Sequence, residues 1–174
     1  MMAAIMIAAV TGGLIVFAFI TDIWRRRIPN ALTLTGWLAG LGLHAVYSGG
    51  SGVLHAVIGT AIGFIPMLLL YLIKAVGAGD VKLFAAIGAL TGGEMVLQSM
   101  LYSLFYAGLV GCLILLWRQE WKQTSQRIVM MLIGFLAFKD MAQWKPYIRS
   151  GHHVRFPFMW AVLPAVATVY LQFP

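Results

Sequence analysis

The sequence predicts an all-α protein: a polytopic membrane domain of about six transmembrane helices, with the N-terminus and the C-terminus outside. Three observations carry this. Of 174 residues, 61% are hydrophobic and only 10% charged, against roughly 25% charged in soluble domains. The apolar residues come in long blocks, not in the stripes of a surface helix. The twelve Lys and Arg residues fall between or at the ends of those blocks, and one alternating path places all of them on the cytoplasmic side. Length and pattern point to a single membrane-embedded domain over residues 1–174.

The first span is expected over Ala3–Ile20, long enough at about 27 Å to cross the hydrocarbon layer. The N-terminus, Met1-Met2-Ala3-Ala4, has no basic residues before this run, which argues against a cleaved signal peptide and for a retained helix. Arg25, Arg26 and Arg27 follow and mark the cytoplasmic side, Trp24 suits the interface, and Pro29 stops a straight helix. A second span covers about Ala31–Tyr47. The uncharged turn Ser48-Gly49-Gly50-Ser51-Gly52 is placed outside, and a third span covers about Val53–Ile73, with Pro66 as a kink. Gly36 with Gly40, and Gly59 with Gly63, have the small-xxx-small spacing that lets helices approach, although such pairs also arise by chance in a glycine-rich chain. Lys74 marks the return to the cytoplasmic side.

The next run, Leu83–Leu90, is short: eight residues rise about 12 Å, against a hydrocarbon core of about 30 Å. A re-entrant segment here would send the next span, about Met95–Trp117, outward and strand Arg118, Lys122 and Arg127 there, against the positive-inside pattern. A crossing segment keeps that pattern if residues 77–82 are recessed into the membrane as irregular backbone, which is tolerated only where it lines a protein-walled cavity. Ile128–Phe138 reads as an interfacial or half-buried helix, Lys139–Arg155 as a basic cytoplasmic stretch, and about Phe156–Phe173 as the last span.

The net charge of +7 fits loops that meet anionic lipid headgroups. It does not point to nucleic acid, because no basic-aromatic recognition module is present. Cys112, the single cysteine, cannot form an internal disulfide and has no metal-ligand set around it, so it reads as a small packing residue. His152 and His153 lack a third ligand at useful spacing. His44 and His55 flank the outer turn and read as interfacial.

Five acidic residues remain: Asp22, Asp80, Glu94, Glu120 and Asp140. Glu94, Glu120 and Asp140 read as loop charges. Asp22 closes the first helix and Asp80 opens the fourth at the same membrane face. An ionisable residue at membrane depth marks function by default. Taken singly, Asp22 could be neutralised by Arg25 or Arg26. Asp80 could be a helix N-cap, with Lys82 as its local counter-charge or as a snorkelling lysine. If helices one and four are neighbours, the two carboxylates can meet, and a few ångströms apart in low dielectric they cannot both ionise, so they would share a proton and activate water as a unit. Gly77 and Gly79 would let backbone approach closely and turn.

Asp22 followed by Arg25-Arg26-Arg27-Ile28-Pro29-Asn30 resembles the first aspartate motif of the type IV prepilin peptidases. Gly77-Ala78-Gly79-Asp80-Val81-Lys82-Leu83 resembles their second, the GxGD motif followed by Val-Lys. The resemblance extends over essentially the whole chain, resting past Leu90 on hydropathy. It implies an aspartic endopeptidase of the cytoplasmic (inner) membrane that cuts the basic leader from prepilins or pseudopilins, just before the substrate's hydrophobic helix. It makes Asp22 and Asp80 the catalytic pair, with Gly77, Gly79, Lys82, Pro29 and Asn30 as supporting or substrate-proximal residues, and implies no metal or organic cofactor. Many members carry a four-cysteine cytoplasmic domain and N-methylate the product. With one cysteine, this chain resembles the short form found in Flp-type pilus systems and in some competence or archaeal relatives, for which peptidase but not methyltransferase activity is expected. Presenilin-like proteases pair GxGD with Tyr-Asp and a later Pro-Ala-Leu, which Thr21-Asp22 and Leu163-Pro164-Ala165 do not match.

Two other classes compete. A proton- or ion-coupled transporter would use the aspartates as a relay, but it predicts midplane sites and repeated halves, and no repeat is visible. A non-catalytic scaffold of a pilus machine would tolerate Asp→Asn at both positions.

Overall fold

A computed structural model describes residues 2–25, 27–118 and 158–172. Within these the chain is helical, without strands: α1 (Met2–Arg25), α2 (Asn30–Leu72), α3 (Ala78–Thr91), α4 (Gly93–Arg118) and α5 (Met159–Gln172). The chain divides into two compact units, residues 1–107 with 157–174, and residues 108–156. Of the second, only residues 108–118, the end of α4, are described. The expected Ile128–Phe138 helix, the basic stretch before the last span, Glu120, Asp140 and the His152–His153 pair lie outside the described residues. The first unit holds both motif aspartates.

Among the described residues, three helices are long and apolar enough to cross a membrane: Met2–Arg25, Asn30–Leu72 and Gly93–Ile114. The second is a hairpin. Gly49 breaks it with φ 60° and ψ −142°, a region that L side chains rarely enter. Across the bend the indole N–H of Trp37 donates to Thr60 Oγ1 at 3.1 Å. On a straight helix these residues, 23 apart in sequence, would be about 35 Å apart. The two arms, residues 30–48 and 50–72, correspond to the second and third spans expected from sequence, with the turn inside the expected Ser48–Gly52.

The short helix α3 is the centre of this unit. From Asp80 to Leu90 every residue except Lys82 is buried. Phe84, Leu83, Ile87 and Leu90 are among the largest fully enclosed side chains. The sequence of α3 is apolar all round, and such a helix is stable only when surrounded. The 43-residue hairpin supplies most of the enclosure. All four glycines of its small-xxx-small pairs are buried, and the backbones of Gly59 and Gly88 touch directly, leaving no room for a Cβ on either. At the far end of α3, His44 Nε2 donates to the Leu90 carbonyl at 3.0 Å, and the His55 ring lies 5.4 Å from that of His44. The two histidines expected at an interface thus tie the hairpin tip to the end of α3.

The expected recess of irregular backbone over residues 77–82 is not found. Gly77 caps the helix and Ala78 onward is helical, which lengthens the apolar element to 14 residues, about 21 Å. The physical reason is enclosure: an element walled by protein need not match the thickness of the lipid. α1 packs against α2, α3 and α5. Its Phe19 ring sits 6.4 Å from Trp160 of α5. Tyr106 and Tyr102 of α4 hydrogen-bond Thr168 and Gln172 of α5 at 3.2 and 3.0 Å.

Several hydroxyls inside the bundle bond within their own helix. The hydroxyls of Thr11, Thr60, Thr91, Ser103 and Thr168 each donate to the carbonyl four residues earlier, as an environment poor in water requires. The outer surface carries Ile5, Phe17, Leu54, Ile65 and Phe105, all exposed, which is the inverse of a soluble surface and suits lipid.

Helix α2 ends in a Schellman motif: Ala75 N–H donates to Leu70 O at 2.9 Å and Lys74 N–H to Tyr71 O at 2.8 Å, with Lys74 at φ 62°. Glycine usually fills that position.

This packing sets the expected response to three substitutions. Gly59→Ala should destabilise the detergent-solubilised protein by about 1–3 kcal/mol, the usual range for overpacking, because the opposing atoms are backbone. Gly42→Ala, at a helical position with open space around it, should be neutral or stabilising. Lys74→Gly should raise the midpoint of thermal unfolding, by an equivalent of about 1 kcal/mol. Thermal melts of the three variants against wild type check all of these.

Candidate active site

Five chain segments meet at one end of the bundle: the end of α1, both ends of α2, and the heads of α3 and α5. Asp22 lies one turn before the end of α1, half-buried. The chain leaves α1 at Arg25 and restarts at Asn30, because Pro29 cannot continue the first helix but can open the second. Pro29 has φ −62° and ψ 134°, and its carbonyl accepts the N–H groups of Leu32 and Thr33 at 3.1 and 3.4 Å.

Asp80 sits in the first turn of α3 and is 8% exposed. It is not the cap residue. Gly77 is, and the Asp80 carboxylate reaches back to accept the Gly77 N–H at 3.0 Å, one half of a capping box. The backbone at Gly77 is ordinary, at φ −82° and ψ 154°, so the motif glycines provide room and not an unusual turn. A Cβ on Gly77 would stand 3.2 Å from Asp80 Oδ2, and one on Gly79 would stand 3.3 Å from Ile28 Cβ. Ile28, in the loop after α1, is therefore seated directly on the head of α3.

Asp22 and Asp80, 58 residues apart in the chain, are carried to the same end of the bundle, one by the last turn of α1 and the other by the first turn of α3. The backbone N–H of Met159, at the head of α5, lies within hydrogen-bonding reach of Asp22. Sequence reasoning missed this donor, since a backbone N–H has no side-chain signature. Lys82 is not the local counter-charge of Asp80. Two residues on, it projects from a different face of the helix, and its Nζ donates to Asn30 Oδ1 at 2.9 Å. Arg25, Arg27, Lys74 and Lys82, all exposed, surround the same end of the bundle. Glu94, by contrast, is exposed in the first turn of α4.

Among the described residues no cluster of three or more His, Cys, Asp or Glu could hold a metal. What the arrangement offers is a pair of carboxylates, one buried and one half-buried, at the rim of an apolar bundle.

A helical bundle of membrane character with two carboxylates at one end defines the class. The chain belongs to the type IV leader peptidase family, whose profile matches residues 8–116, a segment that holds both aspartates and all of the supporting residues. Membership makes the protein a peptidase of the membrane. Searches of the curated proteins and of the solved structures find no match.

The capping role of Asp80 is separable from any chemistry. Asp80→Asn keeps an acceptor for the Gly77 N–H and should melt close to wild type, whereas Asp80→Ala should lose about 0.5–2 kcal/mol, the range for a lost N-terminal cap. Thermal unfolding of the two purified variants distinguishes them.

Proposed function

We propose that the protein is an aspartic endopeptidase that removes the leader from type IV or Flp-type prepilins at the cytoplasmic face of the cell membrane. The observation that carries this reading is that Asp22, one turn before the end of α1, and Asp80, in the first turn of α3, lie at the same end of the bundle. Two carboxylates from separate helices converge at one end of an apolar bundle, in a chain whose family is defined by leader cleavage.

The mechanism uses the pair as a unit. One carboxylate takes a proton from a water held between them while the other, protonated, donates to the scissile carbonyl. Water attacks, the tetrahedral intermediate collapses, and the amine leaves with the proton drawn from water. The two roles belong to the pair, so neither is assigned to one residue. The Met159 N–H, at the head of α5, would help to orient the Asp22 carboxylate.

Charge suggests the orientation. The exposed cations at the aspartate end favour the cytoplasmic side for that end by the positive-inside rule, where they would also meet anionic headgroups. The substrate would be a prepilin, its cleavage point at the aspartates and its apolar segment alongside the bundle in the lipid. Six crossings with both termini outside remain the topology that this orientation supports.

The test is processing of a co-expressed prepilin by the wild type, Asp22→Asn and Asp80→Asn. Each substitution keeps shape and hydrogen-bonding capacity but removes the shared proton, and each should reduce cleavage by about 10²–10⁴-fold, as loss of a general acid–base group does, while membrane insertion is unchanged. Equal processing by wild type and both variants would refute the dyad.

A further inference from the structure

The two aspartates lie on helices that are not consecutive, and the geometry of a carboxylate pair tolerates little slack, because a displacement of about 1 Å in a catalytic group can cost about 10²-fold in rate. Something must hold the end of α1 against the head of α3. The connection from Arg25 to Asn30 contains four residues, which span at most roughly 18 Å when fully extended and less where Pro29 bends the chain. Where Asn30 is held, Asp22 is therefore held within a short tether.

We propose that Asn30 and Lys82 form a latch that sets the spacing of Asp22 and Asp80, with Ile28 against Gly79 as its apolar half. This rests on the peptidase reading only for its effect on rate, not for its effect on geometry. The observations are three. Lys82 is the one exposed residue in an otherwise buried run from Asp80 to Leu90, and its Nζ crosses to Asn30 Oδ1 at 2.9 Å. Asn30 opens α2, immediately after the loop that leaves the Asp22 helix. Ile28, in that same loop, contacts the spot where a Gly79 side chain would stand, at 3.3 Å from the Ile28 Cβ.

The two contacts lie one helical turn apart on the same face of α3, since Gly79 and Lys82 are three residues apart. Ile28 stops the loop from moving inward onto α3, and the Lys82–Asn30 hydrogen bond stops it from swinging away. Because Lys82 follows Asp80 by two positions on a rigid helix, the hydrogen bond transmits the position of the loop to Asp80 without touching it. Lys82 and Asn30 are positioning residues on this account, and neither touches the scissile bond. A lysine suits the task through its reach: the long stem lets the ammonium cross from α3 to the start of α2.

A substrate-free measurement tests the geometry. In the full-length protein in its native membrane, with Cys112→Ser as background, Asp22→Cys and Asp80→Cys are cross-linked by a short bis-thiosulfonate reagent. The yield should fall several-fold when Lys82→Met or Asn30→Leu is added. It should be retained with Lys82→Arg and Asn30→Asp, which preserve the donor and the acceptor. Unchanged yield in Lys82→Met and Asn30→Leu would overturn the latch, whatever the enzyme does to prepilins.

The kinetic counterpart uses the native aspartates and a prepilin substrate. Lys82→Met and Asn30→Leu should each lower kcat about 10–100-fold with KM little changed. The double variant should be no slower than the slower single one, the non-additivity of residues that act through one contact. Lys82→Arg should restore most of the rate. A raised KM for Lys82→Met with a silent Asn30→Leu would mean that Lys82 grips substrate, and would overturn the proposal. A cross-linking response in a protein that cuts no prepilin would uphold the latch and count against the peptidase reading alone.

Discussion

The contact of backbone on backbone between Gly59 and Gly88 is the constraint on which the rest of the molecule depends. It brings the second arm of the α2 hairpin so close to α3 that the short helix is enclosed by protein for nearly its whole length. Enclosure removes α3 from the lipid, where its 14 residues would be too few to span. It also removes Asp80 from bulk water, where a carboxylate would be an ordinary surface charge.

Once α3 is central, the site assembles around its head. The chain returns to that end repeatedly: at the close of α1, at both ends of the hairpin and at the start of α5. Each return delivers one component. α1 brings Asp22, the first arm of the hairpin brings Asn30, the loop between them brings Ile28, and α5 brings the Met159 N–H. The cations that stay exposed there, Arg25, Arg27, Lys74 and Lys82, belong to loops and helix ends.

Much of this was legible in the order of residues. The hairpin was readable because Ser48–Gly52 is a cluster of small residues between two apolar blocks. The chemistry was readable because carboxylates are rare in this chain and two of them stand in motifs. Other features were not readable, for local reasons. Residues 77–82 looked like irregular, recessed backbone because the apolar run Leu83–Leu90 is too short to cross the lipid; enclosure of α3 by the hairpin removes that requirement. Lys82 looked like a partner for Asp80 because the two are neighbours in sequence, but helical geometry turns it elsewhere. The end of α2 carried no glycine to announce its C-terminal motif, since Lys74 takes the left-handed position instead.

By itself the sequence determined that the chain is helical and apolar, that it turns back near Gly49, and that Asp22 and Asp80 are its chemically unusual residues. These are properties of composition, periodicity and residue type, which act locally. Only the tertiary structure decided that α3 is enclosed, that Asp22 comes near Asp80 and the Met159 N–H, and that Lys82 reaches Asn30. Those pairings span tens of residues or more, and they depend on which helix surfaces are smooth enough to meet. Close packing sets that globally, and no window of sequence contains it.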